Sequence, residues 1–269
     1  MSQSRALLDV SNGIATLTLN HPEALNAFGH VLRQDVTKAL DKLDTAIADR
    51  SARCLIVTGA GRGFSSGANL NDPDRPPRDR DAEMRGEAQT DLESWYNPTL
   101  IRLRELPIPT VAAINGVAAG VGMSLALSCD FKVMAKSGFF LQAFARIGLV
   151  PDGGSSWILP RLIGMNRAME LSMLAERLPA PKAADWGMIT KCVEDNAVME
   201  ESLALARRLA DGPKALGMIR QMYWASLEND YAGQMQLESD LQKQAGLTKD
   251  HEEGVAAFRE KRDAKFIGA

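Results

Sequence analysis

The sequence predicts an α/β core followed by a helical C-terminal region. Two observations carry this. Short β-branched runs alternate with segments of helical periodicity over the first two thirds of the chain, whereas from about residue 197 only helical spacing remains. Two of the strand-like runs also end in glycine-rich turns, at GAGRGFSSGANL (59–70) and at AAGVGMS (118–124).

Taken in order, ALLDV (6–10) and IATLTLN (14–20) read as strands joined by an Asn12-Gly13 hairpin turn. Val31, Leu32, Val36, Leu40, Leu43 and Ile47 recur at helical spacing over 30–48. CLIVTG (54–59) reads as a buried strand, and NDPDRPPRDRD (71–81) as a polar surface loop. About 25 residues of continuous helix are expected next, up to Pro107 and Pro109. TVAAING (110–116) is a second buried strand. AAGVGMSLALSCD (118–130) is a turn entering a helix, and FKVMA (131–135) is a further strand. Residues 156–176 read as helix interrupted near Gly164. Amphipathic helices are expected near 197–210, 213–227, 230–245 and 250–263. No ββα repeat is visible by inspection.

Composition is that of an ordinary globular protein: 269 residues, 45% hydrophobic, 24% charged, net charge −3. A core of this size needs no disulfide or metal. The charge gives no basic footprint for nucleic acid or a membrane surface, and no run of 18 apolar residues exists. The N-terminus lacks the apolar stretch of a secretory signal. Cys54, Cys129 and Cys192 stand far apart in apolar runs, which predicts buried free thiols in a reducing, cytoplasmic compartment.

GAGRGFSSGANL fits neither G-x-G-x-x-G nor a phosphate loop ending in Gly-Lys-Ser/Thr. GFSSG (63–67) does match G-x-S-x-G, the elbow that mounts a nucleophilic serine between strand and helix. Ser65 would then need His251, the one histidine that follows it. A different chemistry is open to two glycine-rich turns that follow neighbouring parallel strands. Their unpaired backbone N–H groups could converge on one oxygen, forming an oxyanion hole from main chain alone.

Together these motifs resemble the crotonase (enoyl-CoA hydratase/isomerase) superfamily. Supporting matches are INGVAAGVGMSLALSCD (114–130), LNHPEALNAF (19–28), ADWGMIT (184–190) and EEGVAAFREKRDAKF (252–266). The resemblance implies a crotonase-like spiral of ββα units over 1–200 and a helical trimerisation region over 201–269. It further implies a homotrimer or dimer of trimers, acting on an acyl-CoA with no cofactor beyond the substrate's own coenzyme A. By position, the N–H groups of Ala68 and Val121 would hold the thioester oxygen, with Gly67 and Gly120 shaping the turns. Asn69, Leu70 and Asn71 would line the coenzyme, and Lys261 with Arg262 would meet its phosphates.

Hydration in this family uses two glutamates. Their positions carry Ser124 and Phe144 here, and neither does acid–base work at neutral pH. Asp152, in LVPDGGSSW (149–157), is the acid that remains. Pro-Asp-Gly-Gly is turn chemistry in its own right, yet the position matches the aspartate of isomerase branches of the family. ESWYNPTLIRL and IGLVPDGGSSWILPRLIG look most like the branch that rearranges aryl-epoxide thioesters and moves double bonds from C3 to C2. A carboxylate desolvated by Phe139, Phe144, Val150 and Trp157 would be a stronger base. The alternatives are a hydratase using Glu83 or Glu87 and the Ser65 hydrolase.

Overall fold

The computed structural model describes residues 4–269; Met1–Gln3, the start of the segment read for a signal, lie outside them. Strand β1 (Ala6–Ser11) pairs antiparallel with β2 (Gly13–Leu19) through a two-residue turn. Asn12 (φ 51°) and Gly13 (φ 79°) take the positive φ values that such a hairpin turn demands. Helix α1 (His30–Ala48) follows, burying Leu32, Val36, Leu40 and Leu43 on one face.

From here the chain winds as a spiral. Each turn gives one strand to a large sheet and, after a corner of two or three residues, one to a small sheet. The pairs are β3 (Ala52–Gly59) with β4 (Gly63–Ser65), β5 (Thr110–Ile114) with β6 (Val117–Ala119), and β7 (Phe131–Ala135) with β8 (Phe139–Leu141). Strand β9 (Arg177–Pro179) joins the small sheet and β10 (Lys191–Val193) the large one. The large sheet runs β1-β2-β3-β5-β7-β10 and the small one β4-β6-β8-β9; successive turns of the spiral pair in parallel. This is a ββα repeat that inspection of the sequence missed. Its small-sheet strands are three residues long, too short for any periodicity to register. What recurs is a glycine at the corner: a Cβ on Gly116 would fall 2.2 Å from the Arg62 carbonyl oxygen.

The expected long helix before Pro107 is broken. Helix α2 (Arg80–Met84) ends ahead of Gly86 (φ 73°), and a π-helical turn at Leu92–Tyr96 leads into α3 (Asn97–Arg104). Pro98 sits in the first turn of α3 and brings no N–H, so it can start that helix but not extend one from upstream. Helix α4 (Val121–Leu127) is wholly buried. Helices α5 (Ser155–Ile163) and α6 (Met165–Leu174) are separated at Gly164 (φ 79°), and α7 (Ala180–Asp185) is short.

One face of the large sheet packs into the main core with α1, α3 and α4. The other buries Ile14, Cys54, Ile56, Val111, Ala113 and Val133 under α8 (Val198–Ala210). Burial on both faces is why these strands are continuous apolar runs rather than alternating ones. Residue 200, the expected end of the core, lies within α8. Helices α9 (Ala215–Ser226), α10 (Tyr231–Gly246) and α11 (Lys249–Glu260) form the tail, the last two capped by Asp230 and Thr248. They leave Tyr231, Leu247 and Phe258 more than 80% exposed. No described helix is long and apolar enough to cross a membrane.

Candidate active site

Both glycine-rich turns lie at the same end of the small sheet. Ser65 on β4 pairs with Ala118 on β6, so Ala68 and Val121 stand at matching positions, each three residues further on. The turns meet backbone to backbone: a Cβ on Gly67 (φ 94°) would lie 2.8 Å from the Ala119 carbonyl oxygen, and one on Gly122 would lie 2.7 Å from Ser65.

The direction of the Ala68 N–H follows from its bridge to Phe28. The Phe28 N–H donates to the Gly67 carbonyl (2.7 Å), and the Asn69 N–H donates to the Phe28 carbonyl (3.2 Å). The groups on either side of Ala68 therefore face Phe28, and in a parallel bridge its own N–H faces away. Val121 is the first residue of α4, where an N–H has no partner within the helix. Neither N–H finds an acceptor among the described residues. Neighbouring strands run about 4.8 Å apart, so two such donors can share one oxygen at about 2.9 Å from each.

The loop carrying Asp152 is fastened to the same helix. The Ser124 hydroxyl on α4 donates to the Asp152 carbonyl (3.0 Å), as do the Ser155 hydroxyl (2.8 Å) and N–H (3.1 Å). Gly153 (φ 58°) sits against α3 and α4, where a Cβ would lie 2.8 Å from both Leu100 Cδ1 and Ser124 Cβ. Leu100, Tyr96 and Val121 in turn line one apolar recess. With its backbone held on three sides, the Asp152 carboxyl is left alone: Oδ1 is buried and has no hydrogen-bond partner. Loss of water around it pushes its pKa up to about 6.

Of the four apolar residues expected to desolvate Asp152, Phe144 alone is buried. Val150 is 80% exposed, Trp157 stacks on Trp224, and Phe139 lies under the Arg177 guanidinium. Phe144 is buried, its ring edge 3.8 Å from where a Gly120 Cβ would stand, beside the first turn of α4. Leu100 packs against the neighbouring Gly153, and Tyr96, whose hydroxyl burial already makes harder to ionise, also feels the Asp152 charge. Both lie in the segment where sequence periodicity was least informative.

The family profile described as enoyl-CoA hydratase/isomerase matches residues 9–269. The chain belongs to the enoyl-CoA hydratase/isomerase family. It is 41% identical to the 1,2-epoxyphenylacetyl-CoA isomerase of Escherichia coli K12, over 97% of this chain and 98% of that one. It is 33% identical to the trans-2-decenoyl-[acyl-carrier-protein] isomerase of Streptococcus mutans, over the full length of both. The crystal structure of an enoyl-CoA hydratase from Polaromonas sp. JS666 superposes with a TM-score of 0.85 at 30% identity, covering 97% of this chain and 99% of that one. Isomerases and hydratases thus both occur among its relatives, and the crotonase fold is common to them.

Within this crotonase frame the remaining candidates separate. Ser65 is fully buried, its hydroxyl donating to the Asn26 carbonyl (2.8 Å) and accepting from the Gly67 N–H (3.2 Å). No helix follows it directly, and His251 is a surface residue of α11, so the nucleophile elbow is absent and Ser65 instead braces the turn. Glu83 is held by Arg78, which keeps its carboxyl below the usual range, and Glu87 pairs with Arg85 at the surface. The Asn69 side chain accepts from the Asn71 N–H (3.1 Å), a turn that an aspartate would close equally well. Leu70 and Asn71 are exposed beyond it, as is Lys261 after α11, whereas Arg262 is bound to Glu253 and Glu260.

The close approach of the turns gives a stability prediction. Gly122→Ala forces a methyl group into Ser65, and overpacking of this kind costs about 1–3 kcal/mol. In a thermal melt its Tm should fall by about 2–4 °C for each kcal/mol lost. An unchanged melt would mean that the turns are not in contact.

Proposed function

We propose that this chain is an acyl-CoA isomerase that works through a thioester enolate, with Asp152 as its acid–base group. The N–H groups of Ala68 and Val121 hold the thioester oxygen. The Asp152 carboxylate takes a proton from the carbon next to the thioester and returns it two carbons further on, moving a double bond from C3 to C2. In the related epoxide reaction, ring-1,2-epoxyphenylacetyl-CoA to oxepin-CoA, the same carboxyl assists ring opening by proton transfer. No net water is consumed, so no second carboxylate is needed. Gly67, Gly120, Asn69, Leu70, Asn71 and Phe144 shape the site for the acyl-CoA, and Lys261 meets the coenzyme phosphates. The reading includes no cofactor beyond the substrate's coenzyme A, and a homotrimer or dimer of trimers in which the apolar residues of α10 and α11 are covered.

The observation that carries the reading is the pairing of a half-buried Asp152 carboxyl, its Oδ1 buried without a partner, with serine and phenylalanine at 124 and 144. Ser124 is not a weakened glutamate. It ties the Asp152 loop to α4, and the space beside it is filled by Gly153 and Leu100. The test is to supply a 3-enoyl-CoA in ¹⁸O-labelled water and follow the product by mass spectrometry. The expected product is the unlabelled 2-enoyl-CoA, with hydration of crotonyl-CoA at least about 100-fold slower, as absent acid–base groups require. Rapid formation of labelled 3-hydroxyacyl-CoA would refute the proposal.

A further inference from the structure

A cavity of about 430 Å³ lies between the N-terminal end of β7, α5 and α9, and none of Ala68, Val121 or Asp152 lines it. Its walls are largely apolar and aromatic. Trp157 and Trp224 stack there at 6.3 Å with an interplanar angle of 23°, with Arg161 over Trp157 (4.1 Å) and Arg104 over both rings (4.6 and 5.1 Å). Its charges are unbalanced: Lys132, Arg161 and Arg220 face one carboxylate, Asp130.

That carboxylate is already committed. Asp130 Oδ2 accepts from the Thr110 N–H (2.8 Å), the Thr110 hydroxyl (2.9 Å) and Arg220 Nε (2.7 Å), and Oδ1 accepts from Trp224 Nε1 (3.0 Å). Arg220 is itself largely committed, donating also to the carbonyls of Leu103, Arg104 and Leu106. Lys132 is the opposite case. It is 6% exposed, and among the described residues its ammonium reaches a single acceptor, the Asp130 carbonyl, at 3.5 Å. Burial pulls its pKa below the ordinary lysine range. A buried ammonium with three protons and one long contact is a costly arrangement that a bound anion would relieve.

We infer that this cavity is a binding site, separate from the acyl-CoA site, for a small aromatic carboxylate. Its ring would lie against Trp224, since Arg161 already covers Trp157, and its carboxylate would meet the Lys132 ammonium. The aromatic walls select a flat apolar body, the surplus positive charge selects an anion, and the volume suits a single ring with a short side chain.

The test is calorimetric titration of phenylacetate into the full-length protein saturated with coenzyme A, beside phenylacetamide, its neutral counterpart. Phenylacetate should bind at least about tenfold more tightly than the amide, as a charge-assisted contact implies. Lys132→Met should lose that preference while keeping its melting temperature, because replacing a buried charge by an apolar group of like shape is commonly neutral or stabilising. Lys132→Arg should retain it. Equal binding of acid and amide, or an unchanged preference in Lys132→Met, would overturn the inference. So would displacement of phenylacetate by coenzyme A, or absence of binding because a second copy of the chain fills the cavity.

Discussion

Asp152→Asn is expected to lower the rate of enoyl isomerisation by at least about 100-fold, within the 10²–10⁴-fold range of general acid–base catalysis. The asparagine keeps the shape of the side chain and cannot exchange a proton. The fold should not suffer, since the loop is held through the Asp152 carbonyl and through Gly153 rather than through the carboxyl. Loss of turnover with an unaltered melting profile would separate chemistry from turn formation. A variant within about threefold of wild type would leave Asp152 as a turn residue, an effect small beside that range.

The pH dependence of the wild type gives the same carboxyl a second test. Its pKa is raised to about 6, so as a base it is ionised only above that pH. kcat/KM should therefore rise through about pH 6 and level off above it. Stability runs the other way. The folded state holds this proton up to about pH 6 while the unfolded chain releases it near 3.8, so between these values folding binds protons and stability falls as pH rises. Above about pH 6 the cost of the buried charge is fully present. Asp152→Asn removes that cost and should melt higher than wild type at pH 7–8, the difference fading towards pH 4. A residue that is costly when ionised and has no structural partner is one whose retention is explained by chemistry rather than packing.

How far the site was legible in the sequence depends on the length scale of each signal. Helix α1 and the four tail helices were legible because an apolar stripe repeats over many turns. The two glycine-rich turns were legible because close backbone approach at 67 and 122, and a positive φ at 120, leave glycine in the sequence. The small sheet was not, because three residues carry no period. Nor were the residues that pack around the Asp152 loop. Tyr96 and Leu100 are ordinary apolar residues made relevant by a π-helical turn and by Pro98, and nothing local ties them to a loop more than fifty residues away. The missing glutamates were visible as substitutions, but the positive role of Ser124, binding a carbonyl 28 residues on, required the fold. Gln142 carries no sequence signal that would single it out. It is fully buried beside Phe144, with both amide atoms lacking a partner among the described residues.

A backbone oxyanion hole is immune to ordinary side-chain substitution, since any residue but proline presents the same N–H. Proline is therefore the informative replacement, and Val121 is the position that tolerates it. Val121 is the first residue of α4, where proline's fixed φ suits a helix start and the lost N–H had no partner in the helix. The preceding residue, Gly120 (φ 50°, ψ −131°), has no Cβ to clash with the proline ring. Proline also nearly matches valine in volume at this buried site. Val121→Pro should thus fold with a near-native melt and yet lose about 10²–10³-fold in kcat, the effect of deleting one oxyanion donor. Val121→Ala, which keeps the N–H and removes two methyl groups, should retain most of the activity. If the two variants lose activity equally, the effect lies in packing against Leu100 and Leu125, and the enolate oxygen is held elsewhere. If proline alone is inactive, the charge that develops during isomerisation is carried by main chain at the head of α4, and the valine there is free to vary because its side chain takes no part.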